Sequence, residues 1–176
     1  MILKNGTITL RELVWQDWQG VHSYAQKEIV CRYQPWGPNS QNESQTFVQQ
    51  ALNDSNQRPQ TRYVFAVMYE QEMIGAAEFN RRDLNNLTGE ISYIIHPDYW
   101  ERGIATTVAK LLIQYGFLHH HLHRIFATCD PRNIGSTRVL EKSGMLREGR
   151  IREHMKLHDG WRDSYLYSVL EQEWEG

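Results

Sequence analysis

Glu90-Ile91-Ser92-Tyr93-Ile94-Ile95-His96-Pro97-Asp98-Tyr99-Trp100-Glu101-Arg102-Gly103-Ile104-Ala105-Thr106 reads as a strand, a glycine-containing loop and the first turn of a long helix. Ile91, Tyr93 and Ile95 alternate with Ser92, Ile94 and His96, the pattern of a central, largely buried strand. Pro97 has no N–H to give to a ladder and ends it. A helical pattern starts near Gly103, with Ile104, Val108, Leu111, Leu112 and Tyr115 on one face and Thr106, Thr107, Lys110 and Gln114 mostly on the other. A helix start carries unpaired N–H groups and a partial positive charge. Gly103 and Ala105 add no bulk, so an anion can approach the N–H groups from Arg102 to Thr106, a phosphate-binding design. No Gly-Lys-Ser/Thr follows, and the spacing of a dinucleotide fingerprint is absent. Taken alone, the loop reads equally well as a plain strand-to-helix turn.

Before this stretch, Thr7–Glu12 alternates as a half-buried first strand. Asp17 is placed to cap a helix carrying Trp18, Val21, His22 and Ala25. A proline-flanked loop, Gln34–Ser40, leads to a helix from about Glu43 to Asp54. Tyr63–Met68 and Met73–Asn80 form a meander with the Glu90 strand. Beyond the long helix come a strand, Arg124–Cys129, and a helix closed by Gly144. A hairpin then pairs Ile151–His158 with Trp161–Leu170 across Asp159-Gly160. The expected fold is a single α+β domain over residues 1–176, with a crossover helix between two parallel strands in an otherwise mostly antiparallel sheet of about seven strands.

With 176 residues, 40% hydrophobic and 23% charged, the chain has the composition of an ordinary globular domain. A net charge of −2 makes no general case for nucleic acid or an anionic membrane surface. No apolar run approaches the roughly 20 residues that span a bilayer, and the opening residues hold no signal-like apolar core. Cys31 and Cys129 stand far apart and form no disulfide framework, so we expect a reducing, cytoplasmic setting.

Tyr99–Thr106 resembles the acetyl-coenzyme A pyrophosphate loop of the GNAT N-acetyltransferases, with the general pattern Gln/Arg-x-x-Gly-x-Gly/Ala. Trp100 stands where Gln or Arg is usual. The Tyr-Trp pair resembles the branch that acetylates ribosomal-protein N-termini, and the likeness runs from about Thr7 to about Leu170. It implies helices on both sheet faces and a splayed central strand pair with the pantetheine of acetyl-coenzyme A in the gap. It also implies cofactor contacts from Arg102, Gly103, Ile104, Ala105 and Thr106 and from the backbone of Ile94, Ile95 and His96, where the family's strand bulges.

Glu90-Ile91-Ser92-Tyr93 resembles the Glu-Ile-Gly-Tyr of that branch, in which the Glu is assigned as base. Acetyl transfer to an amine needs a group that removes a proton, because an amine of pKa near 8 (α-amino) or 10.4 (lysine) is mostly protonated at neutral pH. Glu90 reads equally as a strand-end charge or ion-pair partner, and Glu78 is the reserve base. Asn133 and Ser136 resemble the branch's Asn-x-x-Ser, with Asn near the cofactor and Ser near its sulfur. The same two residues also fit ordinary helix capping. Many GNAT enzymes carry a Tyr four residues after this Ser, and here that position is Leu140.

Tyr33 and Trp36 fall where the family binds acceptors, although Trp36 equally suits packing. The expected acceptor is an amine on a protein N-terminus or a small molecule such as a polyamine or antibiotic. The different class weighed against it is a non-enzymatic acyl-coenzyme A-binding module. A homodimer is common in the branch. His119, His120, His121 and His123 close a helix without ligand spacing, so no metal is expected.

Overall fold

The computed structural model describes residues Ile2–Gly176. Its eight strands are β1 (Ile2–Asn5), β2 (Ile8–Glu12), β3 (Arg62–Tyr69), β4 (Glu72–Asp83), β5 (Thr88–Ile95), β6 (Arg124–Cys129), β7 (Leu146–Leu157) and β8 (Gly160–Leu170). The helices are α1 (Trp18–Ala25), α2 (Glu28–Cys31), α3 (Gln41–Ser55), α4 (Ile104–His120) and α5 (Ile134–Lys142). One sheet runs β1-β2-β3-β4-β5-β6-β8-β7. Every neighbouring pair is antiparallel except β5 and β6. The strand beyond the expected seven is β1, which turns at Gly6 (φ 58°) and pairs with β2.

The two faces of the sheet are covered by different helices. On one, α4 buries Ile104, Val108, Leu111, Leu112 and Tyr115, the stripe read from the sequence, against Phe79, Ile91 and Ile95. On the other, Val21, Tyr24, Ala25 and Val48 from α1 and α3 pack on Ala76 and Ile94. Ile91 and Ile95 therefore face α4 and Ile94 faces α1, as period-2 alternation demands. Ser40 caps α3 in a reciprocal box with Glu43. Asp17 precedes α1 but caps no α-helical N–H. Its carboxylate accepts from Val14 N–H at 2.8 Å and pairs with Arg11, because a 3-10 turn, Trp15–Asp17, intervenes.

The long helix ends in an aromatic cluster. Tyr63, Phe79, Tyr115 and His120 pack with ring centroids 4.8–5.9 Å apart, Phe79 and His120 stacked and the other pairs tilted or edge-to-face. His120 thus serves as a packing ring, and burial, reinforced by the nearby Arg81, pushes its pKa down to about 4.

The strand pair at the centre opens. Only Thr88, Gly89 and Glu90 face Arg124, Ile125 and Phe126. Past that point β5 stays paired with β4 as far as Ile95, while β6 stays paired with β8 as far as Cys129. The implied bulge near Ile94 falls elsewhere. The β4–β5 register is unbroken from Gly75↔Ile95 to Arg81↔Gly89, and the irregularity lies in β4, where Ile74 is extra between Val67↔Gly75 and Met68↔Met73. Gly75 lets the two strands meet there, since a Cβ on it would lie 2.1 Å from the Ile94 carbonyl oxygen.

Two outcomes follow. Gly75→Ala should cost about 1–3 kcal/mol, read as a lower denaturant midpoint, and an unchanged midpoint would show that the strands have room to part. His120 gives a pH test. A histidine with a depressed folded pKa binds fewer protons folded than unfolded, so its stabilising contribution is full above about 6.5 and is lost as pH falls through the window down to about 4. Denaturation at pH 7 and pH 4.5 should show a smaller loss for His120→Phe than for the parent chain, and equal losses would remove His120 from the acid response.

Candidate functional site

A cleft of about 920 Å³ passes through the opening between β5 and β6. Glu90, Ile94, Asn133, Ser136, Tyr33 and Trp36 all line it, so residues far apart in sequence meet there. Glu90 and Ser92 of β5 stand opposite Asn80 and Glu78 of β4. This register puts all four side chains on the α1–α3 face. On the far side of the opening, Asn133 caps α5, its Oδ1 accepting the Ser136 N–H at 3.1 Å. The capping expectation for this pair is therefore met through the Ser136 backbone, and both residues border the cleft.

The remaining expected cofactor residues lie outside that cleft. His96 N–H donates to the Ile74 carbonyl at 2.7 Å, so it is already used. By the alternation of an antiparallel ladder, the Ile94 main chain also faces β4, and those of Tyr93 and Ile95 turn toward the opening. The Ile95 carbonyl accepts the Trp100 indole N–H at 2.7 Å, which fixes the loop that follows. In that loop Glu101 and Gly103 both have positive φ, 61° and 74°. Gly103 N-caps α4 with no side-chain cap, and a Cβ there would meet nothing within 4 Å. The glycine therefore serves the backbone turn, and the first-turn N–H groups of Ile104, Ala105 and Thr106 have no intrahelical acceptor. Arg102 lies over the Tyr99 ring, 5.1 Å from its centroid, and donates to the Asp98 carbonyl. Arg102 and Ile104 border a smaller polar hollow of about 330 Å³ with Gly6, Tyr69 and Thr107.

The charged groups of the cleft are mostly paired. Glu90 forms an ion pair with Arg82. Glu78 bonds Arg62 at 2.9 Å, and Arg62 also reaches Asp54 at 2.9 Å. Glu78, held by two bonds from a partly buried Arg62, is thus a strut, which weakens it as reserve base, whereas the partner of Glu90 is the exposed Arg82. Asp130 is buried. Burial pulls its pKa up, but hydrogen bonds from Arg132 outweigh this and hold it below the usual carboxylate range. Glu43 is turned to the Ser40 cap.

Arg162 differs. It is 7% exposed and has no carboxylate within ion-pair distance among the described residues. Its Nη1 donates to the Tyr33 carbonyl at 2.6 Å and its Nη2 to Ser164 Oγ at 2.9 Å, while its Nε has no partner. Burial lowers its pKa. Together with His158 Nε2 on the Gly37 carbonyl (2.8 Å), Arg162 ties the C-terminal hairpin to the Tyr33–Pro38 loop and roofs the cleft. Trp36 both lines the cleft and packs on the α1 cluster.

Sequence reasoning missed Arg162 and Tyr93. Nothing local marks Arg162, whose neighbours come from the other end of the chain. Tyr93 alternates with Ile91 and Ile95 and so reads as core. Among the described residues there is no cluster of three or more potential metal ligands.

A family model described as an acetyltransferase (GNAT) domain matches residues 7–146. The chain is 34% identical over 169 residues, covering 95% of both chains, to YnaD, an uncharacterized N-acetyltransferase of Bacillus subtilis. A crystal structure of a GNAT-family acetyltransferase from Bacillus anthracis superposes with a TM-score of 0.86 at 32% identity, covering 98% of this chain and 99% of that one. More distant relatives from Escherichia coli are a spermidine N(1)-acetyltransferase (25% identical, 96% of this chain and 88% of that one) and a ribosomal-protein-serine acetyltransferase (26%, 81% and 84%). The chain therefore belongs to the GNAT family of N-acetyltransferases, enzymes whose acetyl donor is acetyl-coenzyme A.

Proposed function

We propose that this enzyme acetylates the free α-amino group of a peptide or protein, by direct attack of the amine on acetyl-coenzyme A with both substrates bound. The observation that carries the reading is the sheet opening, whose two walls hold Glu90 and Ser136 in one cleft. The chain's own parts fit the donor. The first turn of α4 offers uncapped N–H groups and a positive dipole end to phosphates. The unpaired inner edges of β5 and β6 offer ladder groups to an extended amide-bearing arm. In this reading Glu90 takes the proton that the amine must lose, directly or through a water. Ser136 gives a hydrogen bond on the far wall, where the sulfur departs.

The acceptor class follows from charge and proton affinity. A polyamine needs free carboxylates, and here Glu78, Glu90 and Asp130 are already paired with arginines. The buried Arg162, with no carboxylate at ion-pair distance among the described residues, adds positive charge that repels a polycation and favours a ligand with carbonyl or carboxylate oxygens. An α-amino group, with pKa near 8, also asks less of a base than an amine near 10.4. The relatives include acetyltransferases of both kinds, one named for spermidine and one for a ribosomal protein. The two cysteines, buried and unpaired, suit a reducing cytoplasm.

Three outcomes test this. Acetyl-coenzyme A at about 100 times its dissociation constant should stabilise the fold by about 2.7 kcal/mol, a rise of several degrees in Tm, while ATP and NAD should not. A melt indifferent to acetyl-coenzyme A would count against the donor site. Glu90→Gln should lower kcat about a hundredfold and Ser136→Ala about tenfold, with the melt shift retained. Full activity in both would free these residues of their roles. In a panel of acceptors, peptides with free N-termini should exceed spermidine in kcat/KM by at least about tenfold, and the reverse order would return the acceptor to the polyamine class.

A further inference from the structure

Tyr93 lies on β5 beyond the last residue that pairs with β6. Its side chain takes the α4–α5 side of the sheet with Ile91 and Ile95, and the residue borders the cleft. The hydroxyl oxygen is buried and has no hydrogen-bond partner. Ser136 and the Cys129 thiol are its polar neighbours across the opening. Asn133 holds the Ser136 amide and leaves the Ser136 hydroxyl to face Tyr93 without a bond of good geometry. One turn further along α5 comes Leu140, a buried hydrocarbon. A buried polar group without a partner is uncommon because desolvation goes uncompensated. Phenylalanine would fill the same space without that cost, so packing alone does not explain this hydroxyl.

We propose that Tyr93 is a further catalytic residue, whose O–H donates a hydrogen bond to the sulfur of the acyl donor as it becomes a thiolate. The inference rests on the acetyl-coenzyme A reading above. In the step, the amine nitrogen bonds to the acetyl carbon, the C–S bond breaks and its electron pair goes to sulfur. The amine's surplus proton goes to the Glu90 carboxylate. Tyr93 keeps its own proton and stabilises the charge on sulfur. Burial raises its pKa, which suits a group that must stay protonated to donate. Ser136 provides the second hydroxyl on the same atom.

The test uses binding as well as turnover. Coenzyme A and desulfo-coenzyme A, which lacks the sulfur, are titrated by calorimetry into the full-length enzyme and into Tyr93→Phe between pH 7 and 9. In the parent chain affinity for coenzyme A should rise with pH as the bound thiol ionises. Tyr93→Phe should flatten most of that rise, the remainder belonging to Ser136, weaken coenzyme A by about tenfold at pH 9, and leave desulfo-coenzyme A unchanged. Its kcat should fall tenfold or more at nearly constant KM for acetyl-coenzyme A. Equal weakening of both ligands would mark Tyr93 as structural and overturn the proposal, as would an unaltered pH dependence. If the parent chain binds neither ligand, the donor reading itself fails, and the Tyr93 proposal with it.

Discussion

The constraint on which the site depends is a conflict of partners in the middle of the sheet. β5 keeps β4 and β6 keeps β8, and after Glu90 and Phe126 they cannot also keep each other. A parallel pair joined by a 17-residue helix has the length to part. The surrounding antiparallel pairs, each secured on its outer side, bear the loss of ladder bonds. The opening leaves main-chain groups of β5 and β6 that elsewhere would be satisfied within the sheet. A fold that tolerates such an edge at its centre gains a passage with two chemically different walls.

Those walls are positioned by different physical means. The β5 wall is rigid because α4 and α1 pack on its opposite faces, and because Gly75 lets β4 close up against the Ile94 carbonyl. The α5 wall is set by a helix cap at Asn133. The roof is polar: Arg162 and His158 of the hairpin hold the carbonyls of Tyr33 and Gly37, and Arg132 stacks over the Tyr33 ring. A roof tied by a few side-chain bonds is easier to open than one sealed by a hydrophobic core, which suits a cleft through which an acceptor must enter and leave.

Charge is distributed with the same economy. Glu78, Glu90 and Asp130 each have an arginine, so the cleft offers little free negative charge despite its acidic residues. The net effect differs from what a count of carboxylates suggests. A buried Arg162 with no carboxylate at ion-pair distance among the described residues is costly, and only the more distant Asp130 offsets its charge beside the cleft.

Much of this architecture was legible in the sequence. The alternation of Ile91, Tyr93 and Ile95, the stop at Pro97 and the stripe from Ile104 to Tyr115 marked strands and helix, since these signals are local and periodic. The Asp159-Gly160 signal marked the hairpin, but its loop is His158-Asp159, one residue earlier, because Gly160 pairs with Leu157. The Asn133 cap and the open helix start at Gly103 were readable for the same reason. What tertiary structure alone decided is which distant residues share a space. The ladder uses the His96 amide, and a bulge falls at Ile74 instead of in β5, because hydrogen-bond register is set between strands and not along one. Glu90 meets Arg82 and Glu78 meets Arg62 across the sheet surface. Arg162 reaches the Tyr33 loop from the other end of the chain. Tyr93, by its spacing one more core residue, has a hydroxyl whose meaning depends on the parting of two strands, and no periodicity within β5 records that event.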